Sequence, residues 1–318
     1  MRPRPILLAL LSLAVAVVPA VPAGSDPVTQ PACPGDHPTR DFVTGKGVLE
    51  NLLFDGRGSL YVTGSSMLRR YDRHGNEEVL VEGASLGGLA IGPDRALYVG
   101  FGNDGGNSVR QAGASAVWRV TRIKPFTYTV YAEGFDMANG MTFDRRGNLY
   151  VSNDFQRAIL RIPRRNPSRW TVWADEYYSP NGLVIDPSGR YLDAALTFDQ
   201  RSPIARFPLA DPSRASILTS LTFGLATLEP GVEDASDSES PLVPKGLDDM
   251  TRDAKGRLYV TANGSGEVIR FDPRSGEACV LATGLRNPSS VRFAKGFGAD
   301  DGKLYVTQFG GAITVVTP

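Results

Sequence analysis

Two cysteines and two histidines are all that the 318 residues contain, and neither charge is in excess, with 34 Lys+Arg against 34 Asp+Glu. Each shortage excludes something. A balanced charge argues against a surface made for nucleic acid or anionic lipid, where a positive excess is expected. Long apolar runs are also lacking: Ile6 to Val18 falls short of the about 20 residues that cross a bilayer, and no later stretch is longer. With Arg2 and Arg4 before it and Ala20 or Ala23 after it, this run reads as an export signal over residues 1–23. Cys33 lies too far downstream to carry a lipid anchor. The expected product is secreted or otherwise extracytoplasmic, with no membrane attachment after cleavage. Outside the cytoplasm, Cys33 and Cys279 are permitted a disulfide by their even count, two unpaired thiols being the alternative.

What the chain does have is 35 Gly and 23 Pro, set at turns between short apolar runs. One phrase recurs: a short strand, a turn often opened by Asp, then Leu-Tyr-Val or a relative. It runs from Leu52 to Val62, Leu89 to Val99, Met141 to Val151, Leu183 to Leu192, Met250 to Val260 and Val291 to Val306. Each copy reads as a hairpin, and two further strands usually follow, as in Val117–Val120 with Thr129–Tyr131. Six four-stranded units at a spacing of roughly 45–50 residues predict an all-β fold, a six-bladed β-propeller over residues 41–318, preceded by a tail over 24–40. A sandwich has no reason to repeat one phrase six times, and a solenoid usually has shorter repeats. The segment Asp41 to Thr44 is placed to complete the last blade, closing the ring and removing an exposed sheet edge.

Aligning the copies on the turn-opening residue brings six residues into one register five positions earlier: Glu50, Gly87, Asn139, Asn181, Asp248 and Ser289. Equivalent residues of propeller blades surround one axis, so these should converge at one level of the channel. Glu50, Asn139, Asn181 and Asp248 offer oxygen ligands suited to a hard cation, with Gly87 and Ser289 leaving room for water or substrate. The ion expected is Ca²⁺ before Mg²⁺ or Zn²⁺, because zinc prefers nitrogen or sulfur and both His37 and His74 fall outside the register. Asn139-Gly140 and Asn181-Gly182 would elsewhere read as turn dipeptides, but here they begin strands. Of Asp248 and Asp249, the register selects Asp248.

The chain resembles the senescence-marker-protein/gluconolactonase family, which includes regucalcin, from about Val43 onward. The residues that carry the resemblance are Glu50 with Asp55, Asn139-Gly140-Met141, Pro180-Asn181-Gly182-Leu183, Gly246 to Met250, and Arg257 to Val260. By resemblance, Glu50, Asn181 and Asp248 match metal ligands, and Asn139 an Asn near substrate or metal; diisopropyl fluorophosphatase, a related propeller, similarly uses a Glu, two Asn and an Asp. The chain departs from the family's frequent Glu-Gly-Pro and Pro-Asp-Gly at Glu50-Asn51-Leu52 and Leu247-Asp248-Asp249.

The expected activity is metal-dependent hydrolysis of a lactone or related ester in the channel, with Asp248 and Asn139 as the catalytic candidates. Alternatives are a non-catalytic, metal-stabilised propeller that binds a small ligand or protein, an organophosphate hydrolase, and a strictosidine-synthase-like enzyme. Asn153, Asp154 and Asn263, just past their Leu-Tyr-Val runs, are expected to line the mouth and touch substrate, and the acidic stretch Glu229 to Pro244 to lie over it. Gly83-Ala84-Ser85-Leu86-Gly87 matches a serine-hydrolase elbow only by its letters, since no strand-to-helix turn follows. A small-molecule substrate, no nucleic-acid partner and a monomer complete the expectations.

Overall fold

The computed structural model describes residues 30–199, 201–221 and 245–318. The export signal, the start of the tail and the acidic stretch Glu229 to Pro244 lie outside the described residues. Within them the chain forms six four-stranded antiparallel sheets. Blades 1 to 5 each run in chain order from the axis outward, beginning at Asn51–Phe54, Leu86–Ile91, Met141–Phe143, Pro180–Ile185 and Leu247–Arg252. Blade 6 takes Pro288–Phe293, Leu304–Gln308 and Ile313–Val316, and its outermost strand is Thr39–Val43 from the other end of the chain. That strand pairs antiparallel with Ile313–Val316, so the ring is closed as the sequence predicts. The innermost strands contact their neighbours all the way round, blade 6 meeting blade 1.

The recurrent phrase is a physical unit. Asp144 accepts the backbone N–H groups of Arg146 and Asn148 at 2.9 and 2.8 Å, which folds the turn. Asp55 and Asp186 do the same, and the phenols of Tyr98, Tyr259 and Tyr305 reach Asp94, Asp253 and Asp300. Leu-Tyr-Val is buried at all three positions, as in Leu149, Tyr150 and Val151, because the second strand of each blade is covered on both faces by neighbouring blades. Outermost strands face water on one side, and Glu77–Glu82 accordingly alternates in exposure.

One charge inside this stack is paired across a blade boundary. Asp193 is fully buried in blade 4, where the Arg206 guanidinium donates to it at 2.7 and 2.9 Å and Arg252 of blade 5 reaches it from across the blade boundary.

The N-terminal tail is tied down twice. Cys33 forms a disulfide with Cys279, 246 residues away. Beside it the Cys33 N–H donates to Val280 and the Val280 N–H to Pro31, both at 2.8 Å, adding a short parallel edge to blade 5. Six residues later the chain becomes the outer strand of blade 6, where Arg40 pairs with Asp300. The bridge thus holds the closing strand by spanning two blades. Replacing both cysteines by serine is expected to lower unfolding stability by about 2–4 kcal/mol, because the open chain gains conformational freedom. Chemical denaturation checks this; a change below about 0.5 kcal/mol would mean that the strand pairing alone closes the ring.

Candidate functional site

Backbones crowd at the end of the axis where the innermost strands begin. A Cβ on Gly140 would stand 2.2 Å from the Asn181 carbonyl oxygen, and one on Gly182 2.6 Å from the Asp249 Cα. The glycine after each Asn is therefore required by a neighbouring blade and not by a turn. Blades 5, 6 and 1 carry Asp249, Ser290 and Asn51 at this level instead. The Asn51 amide donates to Asp249 at 3.2 Å, the Ser290 hydroxyl also donates to it, and Arg292 pairs with it at 2.7 Å. Asp249 thus has its own partners, a cation among them, at this level.

One residue earlier, the aligned residues form the candidate site. Asp248 is buried, with the Asn181 amide donating to one carboxylate oxygen at 3.0 Å and the Asn263 amide to the other at 3.3 Å. The same Asn181 nitrogen also meets the Thr197 hydroxyl at 3.1 Å. Glu50 accepts from the Asn103 amide at 3.0 Å. Asn139 is buried and lies against the carboxyl of Asp154, itself buried. Burial first, then the charges of Asp154 and Asp249, push Glu50 up to about 7, against the Asn103 amide that draws it back; burial, then Glu50, Asp249 and Asp154, push Asp248 well above the usual carboxylate range. Burial pushes Asp154 up to about 6, against the Asn139 amide that draws it back.

Two residues are not where the sequence places them. Asn153 does not line the mouth. Its oxygen accepts from Ser108, in the short helix Gly105–Arg110, at 2.7 Å, and it borders a cavity of about 100 Å³ with Asp136 and Gln156. Ser289 does not leave open room, because its hydroxyl donates to the Leu49 carbonyl at 2.7 Å and joins blade 6 to blade 1. Gly87 does leave space, and Asn103 fills it: a Cβ on Gly87 would stand 2.7 Å from that side chain. Asn103 is the site residue that sequence reasoning missed; the signal available was the lone aligned position without a side chain.

Whether these residues suit a cation can be judged from the donors. The oxygens Asn103 Oδ1 and Asp154 Oδ1 are buried without a hydrogen-bond partner among the described residues. Such acceptors demand a donor or a positive charge. Among the described residues no three His, Cys, Asp or Glu side chains are gathered closely enough to hold an ion by themselves, so amide oxygens have to complete the shell. An all-oxygen set of carboxylates and amides suits a hard dication. The donor set fits. With only protein around it, Asn181 turns its NH₂ to Asp248, as an amide does beside a bare carboxylate.

The rim carries two aromatic rings, Phe155 after Asp154 and Phe198 after Thr197, with centroids 5.3 Å apart and exposures of 36% and 49%.

Residues 157–310 match the family model described as SMP-30/Gluconolactonase/LRE-like region. The chain carries a senescence-marker-protein/gluconolactonase-like region. Among solved structures, a gluconolactonase from Xanthomonas campestris is 17% identical with a TM-score of 0.66, over 89% of this chain and 90% of that one. A calcium-binding regucalcin from Agrobacterium tumefaciens is 15% identical with a TM-score of 0.61, over 86% and 90%. An auxiliary nutrient binding protein from Bacteroides ovatus is 11% identical with a TM-score of 0.65, over 89% and 77%. At these identities the likeness establishes the propeller fold and leaves the chemistry to the site. No curated protein matches the chain significantly in sequence.

Proposed function

We propose that this propeller is a secreted, metal-dependent hydrolase acting on a lactone or related ester, with calcium as its ion. The observation that carries the reading is one contrast: among the described residues no lysine or arginine pairs with half-buried Glu50 or with buried Asp154 and Asp248, which feel one another's charge, while Asp249 beside them has Arg292. Glu50, Asp248, Asn181 and the Asn103 and Asn139 amides are the residues that would hold the ion. The Lewis-acid polarisation of an ester carbonyl is the chemistry it would supply when bound. The protein's own part is positioning and proton handling. Asn181 and Asn263 fix both oxygens of Asp248, and Asp154 keeps one oxygen free to take a proton from attacking water. That division removes a difficulty, because a carboxylate on a dication is a poor base. Phe155 and Phe198 offer apolar surface to a substituent outside the ring being opened.

Assays of aldonolactones, aliphatic lactones and organophosphate esters, with calcium and with chelator, test the reading. Chelator-sensitive turnover of a lactone supports it. Thermal stabilisation by calcium with no turnover of any ester would replace it with a ligand-binding propeller.

A pH dependence follows from the raised carboxyls. Their folded pKa values of about 7 for Glu50 and about 6 for Asp154 lie above the ordinary 4.5 and 3.8. The folded state therefore binds more protons than the unfolded one in between, so ion-free protein should lose stability as pH rises from about 4 to about 7. Calcium should bind more tightly over the same rise, since the carboxyls must ionise to hold it. Melting curves in chelator and in calcium should diverge with pH; parallel curves would contradict the assignment.

A further inference from the structure

The even overall charge hides a local imbalance at the end of the propeller opposite the candidate site. There, between the turn that opens at Asp144 and the turn after Ala158–Ile162, blade 3 has a cavity of about 750 Å³ lined by Arg146, Asn148, Arg161, Pro163, Arg164 and Arg165. No carboxylate is in the lining. The nearest acid of that turn, Asp144, spends its oxygens on the N–H groups of Arg146 and Asn148 and on the Asn148 amide at 2.8 Å. Among the described residues none of the four arginines forms an ion pair. Neighbouring concavities do otherwise. One lined by Arg95, Arg119 and Arg122 contains Asp94, paired with Arg119 at 2.7 Å. Another, lined by Arg70 and Lys124, contains Glu78, which pairs with both at 2.7 Å.

We propose that the arginine-lined cavity of blade 3 binds a small polyanion bearing phosphate or sulfate groups. Four like charges around one hollow repel one another, and a guest anion reverses the sign of that interaction. Guanidinium groups match tetrahedral oxyanions through paired N–H donors. The hollow is built on ordered parts: Gly147 packs beneath the Arg164 side chain, and the Asn148 oxygen accepts the Arg164 N–H at 3.3 Å. Its volume exceeds that of a single oxyanion, so a ligand with several such groups is favoured over free phosphate. This site is independent of the axial one.

The test is calorimetric titration of the disulfide-intact protein, stripped of divalent ions, with inorganic phosphate, pyrophosphate and triphosphate at low salt. The expected result is saturable binding at one site, tightening about tenfold from phosphate to triphosphate and weakening about tenfold at physiological salt. Arg164→Ala with Arg165→Ala, at exposed turn positions, should weaken triphosphate binding at least about tenfold. Arg161→Gln serves as a second variant should that pair fail to fold, and Arg95→Ala, in the neighbouring concavity, should change nothing. Absence of saturable triphosphate binding overturns the proposal. So does an affinity unchanged in the blade 3 variants, or lost equally in Arg95→Ala.

Discussion

Asp248→Asn is expected to make the ion-free protein more stable while removing both its response to calcium and its turnover. Asp248 is held in a buried site where burial, Glu50, Asp249 and Asp154 all oppose its ionisation. An asparagine keeps the shape and removes the charge, which should raise stability in chelator by roughly 1–2 kcal/mol. The same change deletes a ligand and the group that Asn181 and Asn263 orient. Stabilisation by calcium should vanish, and turnover should fall by at least about a thousandfold. Thermal unfolding in chelator and in calcium, beside an ester assay, separates the parts. A variant less stable than the parent in chelator, or one that keeps its rate, would contradict the role given to Asp248.

The opposite balance holds at the blade 4–5 boundary, where Asp193→Ala is expected to cost about 3–5 kcal/mol. Asp193 has no exposure and answers two guanidiniums, Arg206 within its own blade and Arg252 from the next. Removing it strands Arg252, whose pKa is already lowered by burial. The measure is the denaturant midpoint at unchanged slope. Asp193→Leu combined with Arg252→Met should recover part of the loss, because it removes the buried Arg252 charge along with its partner and leaves only the part-exposed Arg206 unpaired. A single variant within about 1 kcal/mol of the parent would mean that the arginines find water at this boundary.

These two sites differ in how visible they are in the sequence. The blades were legible because Asp-turn-Leu-Tyr-Val encodes a self-contained device: an acid that caps its turn, a phenol that returns to that acid, and a strand buried on both faces. Equal offsets from equal turns are likewise what single out Glu50, Asn139, Asn181 and Asp248 in the sequence, and of these Asn181 and Asp248 touch. Asp193 was not, because the fourth copy is degenerate, with Tyr191-Leu192 in place of Leu-Tyr-Val. A charge inside a doubly covered strand was the missed signal. Asn103 escaped because it follows the strand Leu97–Phe101 and leads into the helix Gly105–Arg110, which breaks the shared spacing. Asn153 was misplaced for a related reason: that helix brings Ser108 over it and turns its side chain into the blade boundary. Offsets from a repeat serve well until an insertion intervenes.

Diffraction from crystals grown with calcium and then exchanged into manganese tests the central claim most directly, through the anomalous signal of the ion. The account predicts one strong peak on the axis, bounded by oxygens of Glu50, Asn181 and Asp248. A map with no axial peak, or with an ion bound only elsewhere, would contradict it.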